Sequence, residues 1–195
     1  MGTLARFAGP LALLGGALWV IANLIQVAAP LSYAWIGLFA SGVLIGGAAL
    51  GLQRQFGQRT GTLGRWGGLA TAAGSAGVVT AILLLVATGQ INTDTTGSPI
   101  LQALVLVSLL LFFAGSLVFA LGLMRAKAIS PIAGWLVVLG AVVIPVLVIA
   151  VPQNPPPIVY LPLAIYGIGW VLVGYEARKP MAEVGIAGRQ LTRAN

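Results

Sequence analysis

Cysteine and histidine are both missing from the 195 residues, and only three acidic residues are present. Without cysteine there is no disulfide framework, no thiolate nucleophile and no sulfur ligand for a metal. The further loss of histidine removes the usual ligands for zinc, copper and haem, together with the side chain most used for proton transfer near neutral pH. No cofactor and no metal are expected. The acids are Asp94, Glu176 and Glu183, all placed outside the apolar runs. Ion-coupled transporters commonly use ionisable groups buried at mid-membrane, and this pattern provides none.

Charge of either sign is scarce as well. Charged residues make up 7% of the chain against 59% hydrophobic ones, where a soluble domain carries about a quarter charged residues. Such a chain cannot cover a water-soluble surface, so its solvent is lipid. Crossing roughly 30 Å of hydrocarbon takes about 20 residues of helix. Six apolar runs qualify: Phe7 to Ala29, Tyr33 to Leu52, Trp66 to Thr88, Pro99 to Met124, Pro131 to Val151 and Pro157 to Tyr175. Ser98-Pro99 and Ser130-Pro131 each place a capping hydroxyl before a proline suited to a first helical turn. The expected fold is all-α, a polytopic transmembrane bundle of six helices over residues 1–177, with a C-terminal tail at 178–195. Arg6, the first run and Val27-Ala28-Ala29 also resemble a secretory signal peptide. The run exceeds the roughly 7–15 residues of a signal core, which favours an uncleaved span.

The net charge of +7 could suggest nucleic acid, but the positions of the ten basic residues speak for topology instead. Arg6 precedes the first span; Arg54, Arg59 and Arg65 surround the second connection; Arg125 and Lys127 lie in the fourth; Arg178, Lys179, Arg189 and Arg193 follow the sixth. The odd connections carry no lysine or arginine. By the positive-inside rule both termini are cytoplasmic, in a multi-pass cell-membrane protein. No nucleic-acid partner is expected. The outer loops are Pro30 to Ser32, the polar stretch from Gly89 to Ser98, and Pro152-Gln153-Asn154-Pro155-Pro156, a stiff turn that cannot continue a helix. Loops this short make consecutive helices antiparallel neighbours, three hairpins in all.

Those hairpins show internal similarity. Gly9 and Gly15, Gly68 and Gly74, and Gly134 and Gly140 repeat a six-residue step in the odd spans, and Ala49-Leu50-Gly51-Leu52-Gln53-Arg54 matches Ala120-Leu121-Gly122-Leu123-Met124-Arg125 at five of six positions. Tandem repeats in one orientation relate their copies about an axis along the membrane normal. Helix association in lipid depends on close backbone approach and interhelical polar contacts, so the small residues carry information. Gly42, Gly46, Gly47 and Gly51 mark the second span and Gly67, Gly74 and Gly77 the third, which pairs these two helices. In the first span Gly9, Ala12, Gly16, Trp19, Asn23 and Gln26 recur at steps of three and four, one helix face. That face should point into the bundle. Trp35, Trp66, Trp135 and Tyr175 suit interfacial anchoring.

Candidate sites are few. On the outer side Asn23, Gln26 and Gln102 join the loop groups Gln90, Asn92, Asp94, Gln153 and Asn154, either as a shallow vestibule for a small ligand or as interhelical hydrogen bonds and solvated loops. Across the membrane, Arg54, Arg59 and Arg65 serve as the topology signal or as contacts for an anionic lipid headgroup. Gly74-Ser75-Ala76-Gly77 resembles the serine motif of intramembrane rhomboid proteases, but with no histidine to act as base that chemistry fails. No enzyme is expected.

Arg6-Phe7-Ala8-Gly9, Gly15-Gly16 and Trp19, with the glycine- and arginine-rich connection before the third span, resemble small multi-span bacterial membrane proteins of no assigned activity. The six-span size and inside termini also look like the substrate-capturing subunits of energy-coupling-factor vitamin transporters. That resemblance implies a coupling partner held at small residues of the first helix, here Ala8 and Ala12. Two functions follow as expectations: a non-enzymatic accessory or structural membrane protein, partnered by lipid, a homo-oligomer or a second membrane protein; or a binding or permeation protein for a small molecule.

Overall fold

The computed structural model describes residues 3–28, 34–88, 98–150 and 161–178. Five helices run through them: α1 (Thr3–Ala28), α2 (Ala34–Ala87), α3 (Pro99–Arg125), α4 (Pro131–Ala150) and α5 (Ala164–Glu176). The described residues contain no strand. Three helices, α1, α2 and α3, have stretches long and apolar enough to cross a bilayer. α4 supplies the shorter apolar stretch Pro131–Leu147, and α5 has 13 residues.

The connection expected between Leu52 and Trp66 is not a loop. Helix continues through it, interrupted at Gly61 by φ 61° and ψ −154°, a backbone region that is essentially confined to glycine. Gln53, Arg54, Gln55 and Gln58 are good helix formers and no proline intervenes, so local propensity favours helix until Gly61 reverses the chain. A straight 54-residue helix would be about 80 Å long. Instead α2 folds into two arms, 34–60 and 62–87. Gly46 abuts Ser75 and Gly68 abuts Gln53, contacts that step in opposite directions along the arms and make them antiparallel.

Both serine-proline starts are present, with different chemistry. Ser98 stands at the N-cap of α3 with Pro99 in the first turn, and there is no side-chain cap hydrogen bond. At α4 the Ala133 N–H donates to Ser130 Oγ at 3.3 Å, while the Ser130 N–H donates to Glu176 Oε2 at 2.6 Å. A carboxylate from the end of α5 thus sits at the positive end of the α4 dipole. This ties the two helices together where the basic residues cluster.

Each helix packs on its sequence neighbours, and α1 closes on α5. Helix α1 lies on the first arm of α2, with Gly51 against Ala8; α3 lies on the second arm, with Gly67 against Phe119 and Gly122 against Gly64. The α1–α5 seam is close on both sides: a Cβ on Gly16 would come within 2.5 Å of the Gly167 carbonyl oxygen, and one on Gly167 within 2.7 Å of the Gly16 carbonyl oxygen. Neither helix could approach this closely with a larger residue. Hydroxyls add interhelical bonds, Ser41 Oγ to the Gly15 carbonyl at 2.6 Å and Ser75 Oγ to the Gly42 carbonyl at 2.9 Å.

The glycine-bearing face of α1 does turn inward. Gly9, Ala12, Gly16, Trp19 and Asn23 are buried and Gln26 half-buried. Ala8 and Ala12 are wholly buried inside the chain, so they present no surface to a second protein. Trp66, Trp135 and Tyr175 are exposed, while the side chain of Trp35 lies outside the described residues.

Candidate functional site

A cavity of about 360 Å³ opens inside the ring, in the half away from Arg54, Arg59 and Arg125. Four helices and the turn before α5 contribute to its wall. Trp19, Asn23 and Gln26 come from α1; Leu38, Phe39, Gly42 and Val43 from the first arm of α2; Ser75, Val78, Val79 and Ile82 from the second arm. α3 adds Val105, Leu109, Phe112 and Phe113, α4 adds Ile144, and Leu163 stands just before α5. The volume falls at the small end of the roughly 300–1,000 Å³ of small-molecule sites, and the apolar lining with few polar groups is also typical of them.

Three helix pairs, α1 with the first arm of α2, the second arm with α3, and α4 with α5, meet the cavity in one register. Ser41 bonds Gly15, Phe112 abuts Gly74, and Tyr166 abuts Gly140. Three residues before Ser41, Phe112 and Tyr166 stand Leu38, Leu109 and Leu163; four residues after Gly15, Gly74 and Gly140 stand Trp19, Val78 and Ile144. All six line the cavity. One further turn along, Asn23 on α1 answers to Ile82 on the second arm of α2, and both face the same space.

Towards the basic end an aromatic cluster closes the space. The Tyr166 ring lies 5.2 Å from Trp19, 5.4 Å from Phe113 and 6.0 Å from Phe112 by centroid, in edge-on geometry, an arrangement that the ring quadrupoles favour. Its hydroxyl hydrogen-bonds Ser116 Oγ at 2.8 Å, and its ring meets Trp170 edge-on, which in turn stacks on Phe119. Trp19 is fixed in the wall by its Nε1–H, which donates to the Leu163 carbonyl at 2.9 Å. The bundle axis is therefore filled below the cavity.

No protein-family model, no curated protein and no solved structure matches the chain. Its function has to be read from this site.

Of the polar residues expected on the outer side, Asn23 and Gln26 line the cavity. Gln102 does not join them: it is exposed on α3 and absent from the wall. Asp94, Gln90, Asn92, Gln153 and Asn154 lie outside the described residues. Asn23 is 1% exposed; its Nδ2 donates to the Trp19 carbonyl at 2.8 Å, and its Oδ1 has no partner. The Trp19 carbonyl can only accept, which fixes the amide orientation and leaves Oδ1 as the unpaired end. Leaving a buried acceptor unpaired costs about 1–3 kcal/mol.

Ser75, the residue of the serine motif, spends its hydroxyl hydrogen on the Gly42 carbonyl. Arg54, Arg59 and Arg65 are exposed around the Gly61 bend. Sequence reasoning did not find the leucine, valine and phenylalanine lining, because in a chain this apolar nothing in composition separates a cavity wall from a lipid-facing surface.

Proposed function

We propose that this chain is a non-enzymatic membrane protein that crosses the bilayer six times and holds a small apolar molecule in the outer half of its bundle. Both arms of α2 count as spans in this reading, and the shorter α4 and α5 complete a ring of three hairpins about a quasi-threefold axis. The single observation that carries it is the apolar cavity on that axis, to which all three hairpins contribute in matching register. The aromatic floor favours binding over permeation, since Tyr166 and Trp170 are in ring contact and buried beneath the cavity. Basic residues at one end and none in the odd connections favour cytoplasmic termini and a cavity nearer the outer surface. The glycine stripe, which could have served a partner helix, is occupied by the chain's own α5.

Gly42 supplies the test. It lines the cavity, and a Cβ there would meet nothing within 4 Å, so Gly42→Leu starts its side chain in open space and directs its bulk into the cavity. Native mass spectrometry of the full chain, purified in mild detergent, should show a small-molecule adduct on the wild type that is absent from Gly42→Leu. A wild type that carries no adduct, or an adduct indifferent to Gly42→Leu, contradicts the reading.

A further inference from the structure

The cavity wall is apolar at nearly every position, and its three-hairpin register shows where it departs from that. Trp19, Val78 and Ile144 are apolar counterparts, as are Leu38, Leu109 and Leu163; one turn beyond Val78 the second hairpin keeps an apolar wall with Ile82. The first hairpin puts Asn23 there instead. Isoleucine at the matching position shows that a hydrocarbon side chain suits this depth, so packing alone does not call for an amide. The amide is also left half used, with Nδ2 bonded to the Trp19 carbonyl and Oδ1 buried without a donor. Apolar cavities tend to stay dry, and a bound water needs two to four polar partners, whereas one unpaired oxygen is what a single donor group on an apolar molecule would satisfy.

We infer that the cavity is a binding site for an apolar molecule carrying one hydrogen-bond donor, a hydroxyl, which donates to Asn23 Oδ1 as the wall residue Asn23 turns this covered atom to the cavity, while the hydrocarbon body lies between Val78, Leu109 and Phe113. Half-buried Gln26, one turn further out on α1, extends the polar edge on the side from which such a molecule would enter. This rests on the reading of the cavity as a ligand site and adds the chemistry that selects the ligand. A pure hydrocarbon would fill the same space and leave the oxygen unpaired; an ether or ketone would set its own acceptor against it. Selection by one net hydrogen bond amounts to about two- to tenfold in affinity.

Three probes separate these cases: naphthalene, 1-naphthol and 1-methoxynaphthalene, tritiated and measured by equilibrium dialysis against the full-length protein at matched detergent concentration, with empty micelles subtracted. The wild type should bind all three, with 1-naphthol about two- to tenfold tighter than 1-methoxynaphthalene. Asn23→Leu should lose the preference, with 1-naphthol and 1-methoxynaphthalene bound alike. The comparison within the wild type requires no variant, so it stands even if Asn23→Leu fails to fold. Naphthalene binding without a preference for 1-naphthol, or a preference that survives in Asn23→Leu, overturns the hydroxyl assignment and leaves the cavity reading intact. Failure of all three to bind the wild type overturns both.

Discussion

Asn23 sets stability against binding at a single position. Replacing it with leucine removes an unpaired buried acceptor at the cost of one local hydrogen bond to Trp19. Because the unpaired oxygen destabilises by more than that bond stabilises, Asn23→Leu should make the ligand-free protein more stable by about 1 kcal/mol, measured as a higher midpoint in thermal unfolding. A lower midpoint would mean that Oδ1 is satisfied in the folded protein. The residue was legible in the sequence because α1 carries a stripe: Gly16, Trp19 and Asn23 follow one another at helical steps, so the inward face follows from the spacing alone. Gln102 was not, because only Ser108 and Ser116 accompany it as polar residues between Pro99 and Gly122, too few to mark a face from which to orient it. The difference lies in the helices rather than in the two amides.

At the scale of the element, the Gly61 bend and the α1–α5 seam depend on glycine for different reasons. Gly61 has open space around its Cβ position but a positive φ, so Gly61→Ala should cost about 1–3 kcal/mol through backbone strain alone. Gly16 has ordinary helical geometry and no space, so Gly16→Ala should destabilise by about 1–3 kcal/mol through overpacking against Gly167 and Val171. Gly42→Ala is the control: helical and unobstructed, it should be neutral or stabilising by up to about 1 kcal/mol. Midpoints of thermal unfolding for the three variants check the order. Hairpin pairing was legible from short connections and repeated glycines. The site of the bend was not, because Gly57, Gly61 and Gly64 are equivalent as sequence, and only the folded backbone shows which of them takes the left-handed turn.

For the whole molecule, the absence of native cysteine permits a clean test of topology. Gln58→Cys, beside the bend, should react with a membrane-impermeant maleimide only from the cytoplasmic side, and Asp94→Cys only from outside. Labelling of both from one side would refute the six-span arrangement. The ring and its internal register were partly legible, in the six-residue glycine steps and in the likeness of 49–54 to 120–125. The cavity was not. It arises where Leu38, Leu109 and Leu163 meet Trp19, Val78 and Ile144, and the void depends on how far apart the packed helix pairs hold residues that are individually ordinary.

The most direct measurement is thermal unfolding of the wild type and of Gly42→Leu, each with and without saturating naphthalene. A ligand that binds only the folded state raises the midpoint by mass action. The wild-type midpoint should therefore rise on adding naphthalene, while Gly42→Leu should start higher, its cavity already filled, and remain unmoved. Equal responses from the two proteins, or none from the wild type, would contradict the account.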